Sequence, residues 1–256
     1  MRSSKKQISR SLSVFFHFGK YLILLRTSIR RPENTSMYVK ELFKEMNKIG
    51  IGSLGIVILI SIFLGMVTTL QTAYQLVVAW IPPSVIGEII VETSMLELAP
   101  TITGLVLAGR VGSSLASELG TMRVKEQIDA LDVMGVNSAA FLVFPKILGS
   151  IIVIPMLVVV ATFLMILSGA FIGNSAGIVP YNDFVEGAID IFKVKVFVLS
   201  MAKAYTFAFM ISSISCYQGY FSEGGATGVG KSSTRAVVWS CVLILFSDYL
   251  IAQLFL

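Results

Sequence analysis

The sequence predicts an all-α polytopic membrane protein with about five transmembrane helices. Of its 256 residues, 55% are hydrophobic and only 14% are charged, proportions unlike those of a water-soluble globular domain. Several apolar runs exceed the roughly 18 residues that identify a transmembrane helix. Two amphipathic segments complete the predicted fold: an interfacial helix near the amino terminus and a short helix between the second and third spans.

The amino-terminal part of the chain carries most of the positive charge. Eleven of the 20 Lys and Arg residues precede residue 49, which predicts a cytoplasmic amino terminus near anionic lipid headgroups and requires no nucleic acid. Residues 1–12 are basic and Ser-rich, and we expect them to be disordered. Residues 12–29 mix apolar side chains with Lys20 and Arg26, which suits a helix in the membrane interface. We therefore divide the chain into a basic interfacial segment, residues 1–48, and a five-span domain, residues 49–256.

The apolar runs give the order of the spans. The predicted spans cover residues 49–80, 98–119, 144–174, 196–217 and 235–256. Pro82 and Pro83 end the first span because proline cannot continue a helix, and a short amphipathic connection over 84–95 follows. With the amino terminus in the cytoplasm, the acidic stretch 175–195 and the carboxyl terminus lie outside, and the loop 218–233 is cytoplasmic.

A charged amphipathic helix is predicted over residues 123–136. One of its faces is apolar, and the residues at helical spacing there are Val124, Ile128, Leu131 and Met134. Its other faces are polar and carry Lys125, Glu126, Gln127, Asp129 and Asp132. Such a helix, directly after a span, can bind a soluble partner or can lie on the membrane. Its acidic groups disfavour anionic lipid, which favours the partner.

Three ionisable residues are predicted at bilayer depth, where each costs several kcal/mol unless something stabilises it. Arg110 lies about 20 Å into the second span at 1.5 Å per residue. Lys203 in the fourth span and Asp248 in the fifth lie at similar distances from the outer ends of their helices. We therefore expect Lys203 and Asp248 to form an ion pair, and a structural role for that pair is favoured over a role in transport.

The sequence contains one formal match to a nucleotide-binding motif and a single histidine, and neither indicates catalysis. The stretch GATGVGKS at 225–232 formally matches a phosphate-binding loop, but such a loop needs a preceding strand in a soluble α/β domain. Apolar spans flank it here, so a flexible glycine-rich turn is the favoured interpretation. His17 is the only histidine, and neither zinc-ligand spacing nor a nucleophile–base arrangement is present. We expect no metal site and no catalysis by this chain.

Several motifs in one order resemble the MlaE family of permeases, the membrane subunits of ABC-type lipid transporters that work with MCE-domain proteins. The motifs are ELAP (97–100), AGRVG (108–112), ELGTM (118–122), EQIDAL (126–131) and TRAVV (234–238). The resemblance extends from about residue 46 to the carboxyl terminus. It implies that residues 123–136 form the coupling helix that docks onto a cytoplasmic ATPase. That partner binds ATP and Mg²⁺, and this chain needs no cofactor of its own.

The resemblance also implies a homodimer in a bacterial inner membrane, which exchanges phospholipid with an MCE-domain protein on the outer side. In the family, the first two spans build a lipid pocket around a two-fold axis. Candidates for that pocket or for the dimer interface are Gln71, Glu97, Leu105, Gly109 and Gly112; small residues there permit close helix approach. Two alternatives stay open, a membrane-embedded enzyme of lipid metabolism and a passive scaffold of the complex.

Overall fold

The structure, a computed structural model, describes residues 2–29, 35–76 and 82–255, and this part of the chain contains helices and no strand. The α-helices are α1 (Arg2–Ser28), α2 (Thr35–Gln75), α3 (Ser84–Thr93), α4 (Thr103–Leu107), α5 (Ser113–Val124), α6 (Gln127–Val133), α7 (Ser138–Ser175), α8 (Tyr181–Asp190), α9 (Val194–Tyr220) and α10 (Gly225–Phe255). Two π-helical segments, Ser94–Ile102 and Ala108–Gly112, join α3, α4 and α5 into one rod.

Within the described residues, five helical rods are long and apolar enough to cross a membrane, which confirms the predicted all-α fold with five spans. They are Tyr38–Gln75, Ser84–Val124, Ser138–Ser175, Val194–Tyr220 and Gly225–Phe255. The second rod, α7 and α9 form the centre of the bundle, whereas α2 packs mainly on α7, and α10 packs on α9 and α5. The main core consists of apolar side chains from these rods, among them Leu107, Ile154 and Phe207, each fully buried.

The two ends of the bundle differ. At one end, the α8 end, α3 packs against α8, and Gly87 and Gly187 let the two backbones approach closely. At the other, the α6 end, the short helix α6 joins the second rod to α7, and α1 packs against α7 and α9. There the Tyr21 hydroxyl donates to Ser213 Oγ over 2.9 Å. Burial raises the pKa of Tyr21, which keeps this donor protonated.

The second rod differs from its prediction because no separate connecting segment precedes the membrane span. The expected amphipathic link over 84–95 is instead continuous with the membrane span through the first π-helical segment. Pro100 lies inside that segment, where the wider π-helical turn accommodates a residue that lacks an N–H and clashes with a regular helix. Glu97 lies in the first π-helical segment and Arg110 in the second, so both unusual turns occur at ionisable residues.

The helix predicted over 123–136 is two helices. Helix α5 ends at Val124, Glu126 adopts a left-handed backbone with φ of +58°, and α6 begins at Gln127. Val124 therefore does not share one helical face with the residues of α6. Ile128 is fully buried within this chain, and so it is not part of the surface that was expected to face a partner.

Two other segments differ from the predictions. The glycine-rich stretch 225–232 is the start of α10 rather than a turn. The helix α1 begins at Arg2, where disorder was expected, and α2 runs without a break across the boundary between residues 48 and 49. The expected end of the first span at residue 80 lies outside the described residues.

Candidate functional site

A buried ion cluster joins three spans near the α8 end. Lys203 is completely buried in α9, and its Nζ lies 2.7 Å from Glu97 Oε1 and 2.8 Å from Asp248 Oδ1. The same Nζ donates to the Leu96 carbonyl over 3.0 Å, and Thr101 Oγ1 donates to Asp248 Oδ2 over 3.1 Å. Lys203 thus donates hydrogen bonds to Glu97 and to the Leu96 carbonyl, and it forms an ion pair with Asp248 without a hydrogen bond to Oδ1.

The first π-helical segment supplies most of this cluster. Leu96, Glu97 and Thr101 all belong to it, and a π-helical turn changes which side chains share a face. The pairing of Lys203 with Asp248 was expected from their depths, and the structure places them together. Glu97 was a candidate for the lipid pocket or the dimer interface, and in this chain its carboxylate shares Lys203 with Asp248. Two carboxylates on one ammonium leave one acidic group in excess, which is unusual at bilayer depth.

A second buried ion cluster, which the sequence analysis missed, lies at the α6 end. Lys146 in α7 is 3% exposed and contacts Glu45 Oε1 at 2.5 Å and Glu118 Oε2 at 2.9 Å. Lys48 contacts the same Glu118 oxygen at 2.5 Å. These residues come from α2, α5 and α7, so both helices that flank α6 in the chain are tied to α2. Lys146 is the one charged residue in α7. A single charge in an apolar span indicates an ion pair with a neighbouring helix, and this signal could have predicted the cluster.

Arg110 differs from the other charges at depth because its guanidinium forms no ion pair with another described residue and is exposed. A Cβ atom at Gly52 of α2 would lie only 3.0 Å from Arg110 Nη2. Because glycine has no side chain, the guanidinium of Arg110 has room beside α2. The structure therefore places an unpaired cation on the surface between α2 and the second rod.

The remaining candidates in the spans are spread over different surfaces. Gln71 is exposed on α2, Leu105 is partly buried, and a Cβ at Gly109 would meet nothing within 4 Å. Gly112 was a candidate for the pathway or dimer interface, but it packs within the chain against α9, where its Cβ would lie 2.9 Å from Ser215 Oγ. These residues do not form one site within a single chain.

The segment around α6 leaves most of its side chains free for a partner. Gln127, Asp129 and Asp132 are exposed, and Leu131 is partly buried. Asp129 accepts from Arg123 Nη1 over 2.7 Å, which links α6 to α5. Beyond these polar groups, Val133 is 88% and Met134 69% exposed. Most of the apolar surface available here therefore lies at the carboxyl end of α6, and Val124 at the end of α5 is exposed to a smaller extent.

The structure contains an apolar groove but no cluster of metal ligands in its described part. Within the described ranges, no group of three or more His, Cys, Asp and Glu side chains is arranged to hold a metal ion. An apolar groove of about 820 Å³ lies between α2, α7 and α8, with Met66, Phe163 and Phe184 among its walls. It contains none of the pathway candidates named from the sequence.

Comparisons with known proteins agree with this architecture. The model of the family described as "Permease MlaE" matches residues 42–254. A probable ABC transporter permease protein of Rickettsia bellii is 37% identical over 96% of this chain and 95% of its own length. One from Pyropia yezoensis is 33% identical over 97% and 91%. The chloroplastic protein TRIGALACTOSYLDIACYLGLYCEROL 1 of Arabidopsis thaliana is 33% identical over 99% of this chain and 70% of its own. The chain therefore belongs to the MlaE permease family and is a membrane-spanning ABC transporter permease.

Proposed function

We propose that this permease moves phospholipid, driven by ATP hydrolysis in two partner ATPase subunits that bind α6 from the cytoplasm. The observation that carries the proposal is the connection between α6 and the spans. Helix α6 has an exposed apolar end, and the helices before and after it are held to α2 by the buried cluster around Lys146. Movement of α6 is thereby transmitted to three spans at once, which a transporter driven by a soluble motor requires.

The distribution of charge supports a cytoplasmic α6 end. Basic residues lie at or near that end, and they include Lys44, Lys48, Arg123, Lys125, Lys231 and Arg235. The helices α3 and α8 at the opposite end carry the acidic residues Glu88, Glu92, Asp183, Glu186 and Asp190. Positively charged residues favour the cytoplasmic side of a membrane protein. This orientation puts α1 in the cytoplasmic interface of a bacterial inner membrane, where its exposed Phe15, Phe16 and Phe18 meet lipid.

A homodimer accounts for the exposed face that carries Arg110. An unpaired cation facing lipid tails is costly, and a second copy over this face would remove it from lipid. Helix α10 is the least buried of the five spans and borders the second rod, so its free surface is available for the same contact. Gln71, Leu105 and Gly109 are then candidates for a pathway enclosed between two copies.

Two observations support a lipid substrate. The Arabidopsis relative is named after a lipid, trigalactosyldiacylglycerol. The apolar groove beside α8 also has the volume of a ligand pocket and opens at the end that we assign to the outside. An MCE-domain protein docked at that end would exchange phospholipid with the membrane.

Reconstitution tests this function against the two alternatives. The full chain and its copurifying ATPase, in vesicles that contain a fluorescent phospholipid, are expected to exchange that lipid with a soluble MCE-domain protein only when ATP is hydrolysed. The control replaces ATP with a non-hydrolysable analogue. Chemical alteration of the lipid would identify an enzyme, and equal exchange by vesicles that lack this chain would identify a scaffold; either result contradicts the proposal.

A further inference from the structure

A polar cavity of about 160 Å³ lies between α2 and the second rod, on the α6 side of the bundle. The polar residues in its wall are Glu45, Lys48, Ser53, Arg110 and Ser114. The volume is several times what one water molecule needs. Polar walls inside a membrane-spanning bundle are costly unless an occupant forms hydrogen bonds with them, so the chemistry of the wall indicates what enters.

Several groups in this wall lack a partner. Glu45 and Ser53 are each 1% exposed, and neither Glu45 Oε2 nor Ser53 Oγ forms a hydrogen bond with another described residue. The other Glu45 oxygen is held by Lys146, which fixes the carboxylate in place. The guanidinium of Arg110 adds several unused donors beside Gly52. One wall of a small cavity thus carries a free acceptor, a free hydroxyl and a free cation.

The balance of charge around the cavity favours an anionic group. The cations Lys48, Lys146 and Arg110 face two carboxylates, those of Glu45 and Glu118, which leaves one positive charge in excess. A guanidinium matches the geometry of a phosphate and binds it through two parallel hydrogen bonds. The free Glu45 oxygen can only accept, so a ligand that carries an N–H or O–H donor beside its phosphate satisfies both ends of the cavity wall.

We propose that this cavity binds the headgroup of a phospholipid that combines a phosphodiester with a hydrogen-bond donor, as ethanolamine and glycerol headgroups do. The phosphodiester contacts Arg110 and Ser53, and the ammonium or hydroxyl group donates to Glu45 Oε2. A choline headgroup has no N–H, so it leaves the Glu45 oxygen without a partner. This inference rests on the proposed transport of phospholipid, and it adds which headgroups are selected and which residues select them.

A series of lipids that differ only in headgroup methylation tests the donor. Native mass spectrometry of the delipidated full-length protein in detergent measures binding of phosphatidylethanolamine, its N-methyl and N,N-dimethyl forms, and phosphatidylcholine. The first three keep an N–H and are expected to bind alike. Loss of the last N–H removes a hydrogen bond to a charged group, so phosphatidylcholine is expected to bind about tenfold more weakly. A smooth decline with each methyl group, or no decline, would overturn the proposal.

Two variants test the phosphate contact without breaking the Lys146 cluster. Arg110→Gln is expected to weaken binding of every lipid in the series by about tenfold or more, because all share the phosphodiester. Ser53→Ala is expected to have a smaller effect in the same direction. Arg235→Gln, which removes an exposed arginine at the same end of the bundle, is the matched control and should leave binding unchanged. Wild-type affinity in Arg110→Gln would place the headgroup elsewhere and refute the site.

Inorganic phosphate separates a lipid headgroup from a free anion. If the ligand is lipid, millimolar phosphate leaves lipid binding intact; displacement of lipid by phosphate would identify a free phosphate site and overturn the lipid assignment. These measurements need neither ATP nor a partner protein. Loss of headgroup selection with ATP-driven exchange preserved therefore rejects the cavity site alone, whereas selective binding without any exchange rejects the transport function.

Discussion

Lys203 is stable inside the bundle only because oxygen atoms from the second rod and from α10 surround it. Its Cα lies roughly 14 Å along α9 from Val194 at 1.5 Å per residue, and the residue has no exposed surface. A lone ammonium at that depth would be strongly unfavourable. The carboxylates of Glu97 and Asp248 compensate its charge, and their mutual repulsion is in turn relieved by the lysine.

Removing this lysine is expected to destabilise the protein strongly. Lys203→Met leaves two carboxylates close together without a cation, and loss of one member of a buried ion pair costs about 3–5 kcal/mol. The free energy of unfolding in detergent measures the effect. Adding Glu97→Gln and Asp248→Asn to Lys203→Met removes the uncompensated charge and should restore most of the loss.

A matched control separates burial from charge. Lys44 pairs with Glu41 on the surface, with 71% of the lysine side chain exposed, so Lys44→Met should change stability by less than about 1 kcal/mol. Equal effects of Lys203→Met and Lys44→Met would show that the Lys203 cluster does not stabilise the fold.

The depth of a residue could be predicted from the sequence, but the face on which it lies could not. Lys203 and Asp248 were expected to pair because each lies at a similar distance from the end of its span. The contact of Glu97 with Lys203 was not predicted, because the 3.6-residue period does not hold in a π-helical segment. The Lys146 cluster escaped it because its acidic partners, Glu45 and Glu118, sit on two other helices far away in the chain.

At the scale of single elements, α6 shows what a periodic pattern leaves out. The spacing of Val124, Ile128, Leu131 and Met134 predicts one continuous apolar face, yet the chain turns at Glu126 without a glycine or proline to mark the turn. A left-handed backbone at a residue other than glycine is uncommon. Ile128 therefore packs inside this chain, and the most exposed apolar side chains of the segment are those at the end of α6.

This arrangement predicts which residue of the segment binds the ATPase. Met134→Arg introduces a charge into the exposed apolar end of α6 without disturbing the core, so we expect the ATPase to be lost from copurification while the chain stays folded. Thr227→Arg places the same side chain at another exposed position near the same end and is the control. Undiminished copurification with Met134→Arg would show that the ATPase binds elsewhere.

Substitution of Ile128 is expected to act differently. Ile128→Ala removes a fully buried side chain, and its effect should be a loss of stability of about 2–5 kcal/mol rather than a specific loss of the partner. Thermal unfolding measured beside copurification distinguishes the two effects.

At the scale of the whole molecule, the number and order of the spans followed from length and hydrophobicity alone. The packing of those spans did not, because an apolar side chain in a membrane protein contacts lipid or another helix equally well. Only the structure shows that α7 and the second rod are central and that α2 and α10 lie at the outside. The charged clusters then fix the bundle at both of its ends.

Coupling between the ATPase and the membrane spans requires the α6 end to face the cytoplasm. The most direct test labels single cysteines with a membrane-impermeant maleimide in whole spheroplasts and in inside-out vesicles. Val133→Cys and Ile189→Cys are the matched pair, since both positions are well exposed, one on α6 and the other on α8. We predict that Val133→Cys is labelled only in inside-out vesicles and Ile189→Cys only in spheroplasts; the reverse pattern would contradict coupling through α6.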